Sequence, residues 1–323
     1  MSFDLTVAIP TYNGESRLPK VIEHLQKQQG IENLNWEILV VDNNSIDSTA
    51  QLVKNYQTNW NQPYLLKYLS ESQQGAAFAR AKAIQEAQSE IICFLDDDNL
   101  PAQNWILEAY KFAVNNPQSG AIASRIKGDF EVNPPENIKP IIFYLAITER
   151  GENPHLFQPR KQGFPPTAGL VVRRQAWQDN VPKKPFFIGR IGSSMLGSED
   201  AEALCYIQKA GWEIWYNPAM QIEHLIPASR LERNYLISLM QSVGLTRHHL
   251  RMLILPNWQR PFAFFTYLIN DIRKFVLYYI RYHSLINSDT VTACEMERLR
   301  ATIISPFYLE TLKIRRFFQK FIT

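Results

Sequence analysis

The residues best suited to chemistry in this sequence are carboxylates. Asp96, Asp97 and Asp98 follow one another directly and precede Asn99, in FLDDDN (residues 94–99). Adjacent carboxylates repel one another, so the run calls for a compensating cation. It offers oxygen donors with no His or Cys beside them, a set that favours Mg²⁺ or Mn²⁺. A hard cation held by one or two carboxylates shares its remaining positions with substrate phosphates. The competing reading is a solvated acidic turn in which Asp98 or Asn99 caps the next helix. A second acidic pair, Glu199-Asp200, lies in GSED (197–200). Ser198 is placed to cap a helix starting there, and the positive end of that helix would hold Asp200 ionised. The bland alternative is a capped helix start with a solvated pair. His224 alternates with apolar neighbours in IEHLIP (222–227), so a strand would turn it away from them. A neutral imidazole there can ligate a metal ion, and a simple hydrogen bond is the bland alternative.

These groups can cooperate only if a scaffold brings them to one edge. The first 126 residues alternate short apolar runs with helical patterns. Residues 5–10, 36–41, 65–69, 91–95 and 121–126 read as strands, and residues 17–28, 49–59, 75–87 and 101–115 as helices. The last helix would place Pro101 in its first turn. Such alternation predicts an α/β fold, a Rossmann-like, mostly parallel sheet with helices on both faces. Ligands of such sheets bind beyond the carboxyl ends of the strands. Those ends here carry TYNG (11–14), DNNSIDST (42–49) and the DDDN run. Residues 127–166 are rich in Pro and Asn and read as irregular. Further strands are expected at 170–173 and 213–216, with a helix over 199–210 between them. Beyond residue 229 the pattern is helical throughout.

Six segments come in the order and spacing of one family. They are TVAIPTYNG (6–14), VVDNNSIDST (40–49), GAAFARAKAI (75–84), FLDDDN (94–99), AGLVVRR (168–174) and GSED (197–200). With them the chain resembles the family-2 inverting glycosyltransferases of the A-type fold, of the bacterial polysaccharide-biosynthesis type, over residues 5–225. The resemblance implies that Pro10, Thr11, Asn13 and Glu15 line the nucleotide pocket and that Asp42 hydrogen-bonds the base. It implies that Arg80 lies near the diphosphate, that Asp96 and Asp97 serve the donor, and that Asp98 contacts Mn²⁺ or Mg²⁺. His224 is a second metal candidate. Asp200, beside Glu199, would be the base that activates an acceptor hydroxyl. The implied reaction moves a sugar from a nucleotide-diphosphate donor to a glycan or polyprenyl-linked acceptor. A non-catalytic nucleotide-sugar or glycan-binding module on the same fold would be expected to lose Asp98 or Asp200, and both are present. A sugar nucleotidyltransferase would need a Gly-rich basic loop where TYNG stands. The QxxRW segment of processive synthases is absent, which favours a single addition per encounter. Neither GxGxxG nor GxxxxGK[ST] occurs.

The expected organisation is a catalytic domain over 1–228, with a nucleotide-binding half (1–126) and an acceptor half (127–228), followed by a helical extension over 229–323. The net charge of +3 over 323 residues hides an asymmetry. From Thr246 onward there are 12 Lys or Arg against 5 Asp or Glu, while the preceding residues carry 22 against 26. The basic tail interleaves its charges with aromatic residues over 257–283 and again over 312–322, the chemistry of an interfacial membrane helix. Packing of its apolar sides on the rest of the protein is the alternative. No nucleic-acid recognition motif accompanies these residues, so nucleic acid is not an expected partner. Three scattered cysteines, no basic leader and no span-length apolar run suggest a cytoplasmic protein, and the basic aromatic tail suggests a peripheral place at the inner face of the plasma membrane.

Overall fold

Runs of Val, Ile and Leu that are buried almost without interruption build the parallel half of the sheet. The computed structural model describes residues 3–159, 163–192 and 194–319. Strands β1 (Leu5–Thr11), β2 (Trp36–Asp42), β3 (Leu65–Ser70) and β4 (Ile91–Phe94) run parallel in the spatial order β3-β2-β1-β4. Burial of this kind is what a strand covered on both faces requires. The other strands are β5 (Asn99–Pro101), β6 (Ser119–Phe130), β7 (His155–Leu156), β8 (Val171–Arg173) and β9 (Glu213–Ile226). The order continues β4-β8-β6-β9-β5, with β7 also on β9. The long β6–β9 ladder is parallel, whereas β8, β5 and β7 join antiparallel. The result is a mixed, mostly parallel sheet.

Helices cover both faces because successive strand residues point to opposite sides. Leu5, Val7 and Ile9 pack with Leu18 and Val21 of α1 (Leu18–Gln26), Val53 of α2 (Thr49–Thr58) and Trp105 of α4 (Trp105–Asn115). On the opposite face Ala8, Leu39 and Phe94 meet three other helices. These are α3 (Ala76–Glu86), α5 (Arg174–Asn180) and α6 (Glu199–Lys209), which contribute Ala79, Trp177 and Leu204.

Three local expectations need correction. Pro101 belongs to β5 rather than to a first helical turn, and α4 begins at Trp105. Asn99 starts that same strand, in register with His224 of β9, so the acidic run leads into a strand and caps no helix. Residues 127–130, read as irregular, continue β6 to Phe130 because β9 offers them a partner through Ile226. The weak periodicity there is that of a ladder with one face exposed.

The chain divides into two compact units. The first comprises Met1–Glu131, Ala146–Gly189 and Glu199–Ile226 and holds the sheet with α1 to α6. The second comprises Val132–Leu145, Arg190–Ser198 and Pro227–Thr323. Its helices are α7 (Arg233–Ile254), α8 (Arg260–Tyr282) and α9 (Thr290–Gln319), and a 3-10 helix over Glu136–Leu145 belongs to the same unit. Helices α7 and α9 cross closely at Gly244, where a Cβ would come within 2.5 Å of the Arg298 carbonyl oxygen. The second basic stretch expected over 312–322 falls at the end of α9, and its residues 320–322 lie outside the described residues. Among the described residues, no helix is long and apolar enough to cross a membrane.

Candidate active site

All of the expected site residues fall in the first unit, at or near the carboxyl ends of its strands. The loops after β1 and β2 are laced together. The Asn13 amide donates to Ser45 Oγ at 2.9 Å, and the Ile46 amide donates to Asn13 Oδ1 at 2.9 Å. Asn13 can do this because it adopts φ 50°, a left-handed conformation that Asn tolerates. The Ser48 amide reaches Glu15 Oε2 at 3.2 Å. Asn13 and Glu15 therefore brace the two loops against each other, at the end of the strand that carries Pro10 and Thr11.

Asp42 ends β2 almost wholly buried. Its carboxylate accepts from the Ser45 amide and from the Tyr68 hydroxyl, both at 2.9 Å. Burial and this carboxylate push the Tyr68 phenol up to about 12, so it stays a donor. Tyr68 was missed from the sequence. Its signal, an aromatic on the neighbouring strand two residues before Ser70, the residue paired with Asp42, is visible only once the β2–β3 register is known.

The three aspartates after β4 have separate tasks. Asp97 accepts a forked ion pair from Arg17, Nε at 2.8 Å and Nη2 at 2.9 Å, and a hydrogen bond from Thr11 Oγ1 at 2.5 Å. Arg17 was not singled out from sequence, since 80 residues separate the partners. Asp98 faces His224, with Nε2 at 3.5 Å from Oδ2, and accepts from Asn99 Nδ2 at 3.2 Å. The Leu225 amide also donates to the Asp98 carbonyl at 2.9 Å, which locks the β9 edge beside the acidic loop. Asp96 points the other way, toward Arg80 Nη2 at 3.4 Å.

Arg80, on α3, ties the strand tip to the second acidic pair. Its Nη1 donates to Glu199 Oε1 at 2.9 Å, and its Nε is buried without a partner. Burial opposes its charge, but Asp96, Glu199 and Asp200 outweigh that cost and keep the guanidinium protonated. Two glycines allow the approach. Gly75 has φ +135°, and a Cβ there would sit 2.4 Å from the Ile188 carbonyl oxygen. Gly189 has φ +96° and leaves 3.0 Å between a Cβ and the Ala76 nitrogen.

Asp200 differs from its sequence-based expectation. Ser198 has φ 77°, and its hydroxyl bonds with Thr246 Oγ1 at 2.9 Å, so it does not cap α6. Asp200 does accept the Ala201 amide at 2.7 Å. Burial and the neighbouring Glu199 nevertheless push its carboxyl up to about 6, and Arg80 and the backbone amides of Ala201 and Thr167 only moderate that rise. Burial likewise raises Asp96, against the pull of Arg80. Asp200 lines a small cavity with Ala77, Arg80, Trp177 and Glu199, whereas Asp96 leaves 34% of its side chain exposed.

No cluster of three or more His, Cys, Asp or Glu is arranged for a metal among the described residues. Asp98 and His224 nonetheless form a pair of one carboxylate oxygen donor and one imidazole nitrogen donor, 3.5 Å apart. Asn99 Oδ1 beside them is buried with no partner, an acceptor awaiting a ligand. The oxygens of that set fit Mn²⁺ or Mg²⁺ with the remaining positions left to phosphate and water, and the imidazole favours Mn²⁺ of the two.

A mixed, mostly parallel sheet wrapped on both faces, with carboxylates gathered beyond its strand ends, is the architecture of the A-type glycosyltransferases, and the comparisons with known proteins agree. The family model for glycosyl transferase family 2 matches residues 6–175, more than half of the chain, and the chain belongs to that family. It is 31% identical over 178 residues to the glycosyltransferase AglE of Haloferax volcanii, a match covering 55% of each protein. It is 28% identical over 123 residues to the poly(ribitol-phosphate) beta-N-acetylglucosaminyltransferase TarS of Staphylococcus aureus, covering 38% of this chain and 21% of TarS. The chain thus matches about half or less of the length of these relatives. Among solved structures, a mannosyltransferase of Pyrobaculum calidifontis in complex with GDP-Man and Mn²⁺ superposes with a TM-score of 0.59 at 18% identity. That match covers 94% of this chain and 87% of the other, and it shows a shared fold.

Proposed function

We propose that this protein is an inverting, metal-dependent glycosyltransferase that moves a sugar from a nucleotide-diphosphate donor to a hydroxyl of a glycan or polyprenyl-linked acceptor, in polysaccharide biosynthesis. The observation that carries the reading is Arg80, which links Asp96 of the acidic loop to Glu199, the neighbour of Asp200. One cation thereby couples the donor's end of the site to the candidate base.

In this reading Asp42 offers its carboxylate to the base, and Pro10, Thr11 and Asn13 line the nucleoside pocket with Glu15 at its rim. Asp97, already oriented by Arg17 and Thr11, presents to the ribose. Asp98 and His224 would hold Mn²⁺ or Mg²⁺, which when bound supplies Lewis-acid stabilisation to a diphosphate leaving group. Arg80 keeps the Asp96 side of the site from accumulating uncompensated negative charge as the diphosphate leaves. Asp200 removes the proton of the acceptor hydroxyl while its oxygen attacks the anomeric carbon from the face opposite the diphosphate. The bond to the diphosphate oxygen breaks, its electron pair leaves with the nucleotide, and the anomeric centre inverts. A carboxyl near 6 is mostly ionised at neutral pH, yet more basic than an ordinary aspartate, which suits it to this task. The enzyme would act in the cytoplasm and meet a polyprenyl-linked acceptor at the inner membrane face.

The test is a thermal-shift panel of nucleotide-sugars with and without Mn²⁺, followed by transfer assays with the donor that stabilises most. Metal-dependent stabilisation by one or more nucleotide-sugars is the expected result. Indifference to all of them, in the presence of metal, contradicts the reading.

A further inference from the structure

Helix α8 shows two opposed faces. One is committed to the packing of its own unit. Asp271 is buried and holds Arg251 of α7 through both carboxylate oxygens, at 2.5 and 3.0 Å. The Arg251 guanidinium lies 4.8 Å from the Tyr267 ring, and Phe264 sets its ring edge-on to His248 at 5.7 Å. The other face carries Phe262, Phe265, Ile269, Ile272, Val276 and Ile280, all exposed, with Phe262 at 73% and Ile269 at 67%. Steps of three and four residues align them along one stripe. Trp258, 71% exposed, extends that stripe just before the helix begins.

The charges around the stripe are of one sign. Arg273, Lys274 and Arg281 are exposed on α8, and Arg260 stands at its first turn. The sole carboxylate between residues 257 and 283 is Asp271, which is turned inward and neutralised by Arg251. We infer that the outer face of α8 docks in the plane of an anionic lipid bilayer, with the stripe below the headgroups and the cations among the phosphates. A helix of 23 residues is about 35 Å long and lies along the surface rather than across it. A second copy of this chain is a poorer occupant, since pairing two such faces would juxtapose their cations. The helix alone provides this face, whichever reaction the first unit performs.

The test is co-sedimentation of the full chain with vesicles of phosphatidylcholine mixed with phosphatidylglycerol, against phosphatidylcholine alone. Binding to the anionic vesicles that weakens with salt is expected. Phe262→Ser with Ile269→Ser, and separately Arg273→Glu with Lys274→Glu, should each reduce partitioning about tenfold or more while leaving the thermal melt unchanged. In the unmutated protein, anionic vesicles should blue-shift the tryptophan emission by a component that Trp258→Phe removes, a readout that needs no destabilising change. A chain that stays in the supernatant with both vesicles overturns the inference. So does a concentration-dependent dimer that the same substitutions dissolve, which would assign the face to a second copy.

Discussion

Replacing Arg80 with Met tests the electrostatic core of the site. The side chain is 7% exposed and meets Glu199 at 2.9 Å and Asp96 at 3.4 Å. Methionine fills a similar volume but leaves both carboxylates, and the nearby Asp200, without their cation. Breaking one partner out of a buried ion pair costs about 3–5 kcal/mol. Asp96 keeps a third of its side chain open to water, which places the expected cost near the lower end, about 3 kcal/mol. At about 2–4 °C per kcal/mol, the melting temperature at pH 7.5 should fall by roughly 6–12 °C. The second readout is the pH dependence of transfer. Arg80 holds the Asp200 carboxyl below the value that burial and Glu199 alone would set, so its loss should move the acidic limb upward by about one pH unit. Arg80→Lys, which keeps the charge but not the fork, should fall between the two. An unchanged melt together with an unchanged acidic limb in Arg80→Met would refute the claim that this cation couples the two clusters.

Other consequences follow from the same geometry. Because the folded-state carboxyl of Asp200 is raised, ionising it destabilises the fold, and the cost grows as pH rises from about 4 through 6. Asp200→Asn should therefore melt higher than the unmutated protein at pH 8 and show little advantage at pH 4. For a carboxyl raised from 3.8 to about 6, the gain at pH 8 is on the order of 3 kcal/mol. Gly75→Ala would force a Cβ to 2.4 Å from the Ile188 carbonyl oxygen at φ +135°. It should cost at least about 1–3 kcal/mol in urea denaturation, and transfer should drop because the start of α3 positions Arg80.

What the sequence disclosed, and what it hid, divides along contact distance. The strands of the first half, and the placement of the acidic loop beyond β4 with His224 beside it, were legible because each is marked by local pattern. The burial of both faces of β1 and β2 is written into their unbroken apolar runs. The Arg17–Asp97 and Asp42–Tyr68 pairs were not legible, since their partners meet only through the register of strands and helices distant in the chain. Asp200 shows how a local rule can mislead. A helix N-terminus lowers a carboxyl, but here burial and Glu199 act in the opposite sense and prevail. Ser198 fails as a cap for a related reason, its hydroxyl being engaged by Thr246 from another helix. Packing and membrane docking of the basic tail stood as alternatives in the sequence, and in α8 they become two faces of one helix, with the docking face a proposal.

The central claim is that Asp98 serves the donor and its metal whereas Asp200 serves the acceptor. Parallel measurement of Mn²⁺-dependent donor binding and of sugar transfer in Asp98→Ala and Asp200→Asn separates these roles most directly. Asp98→Ala should lose both, and Asp200→Asn should keep donor binding while transfer nearly vanishes. Full transfer activity in Asp200→Asn, or metal-dependent donor binding undiminished in Asp98→Ala, would contradict the claim.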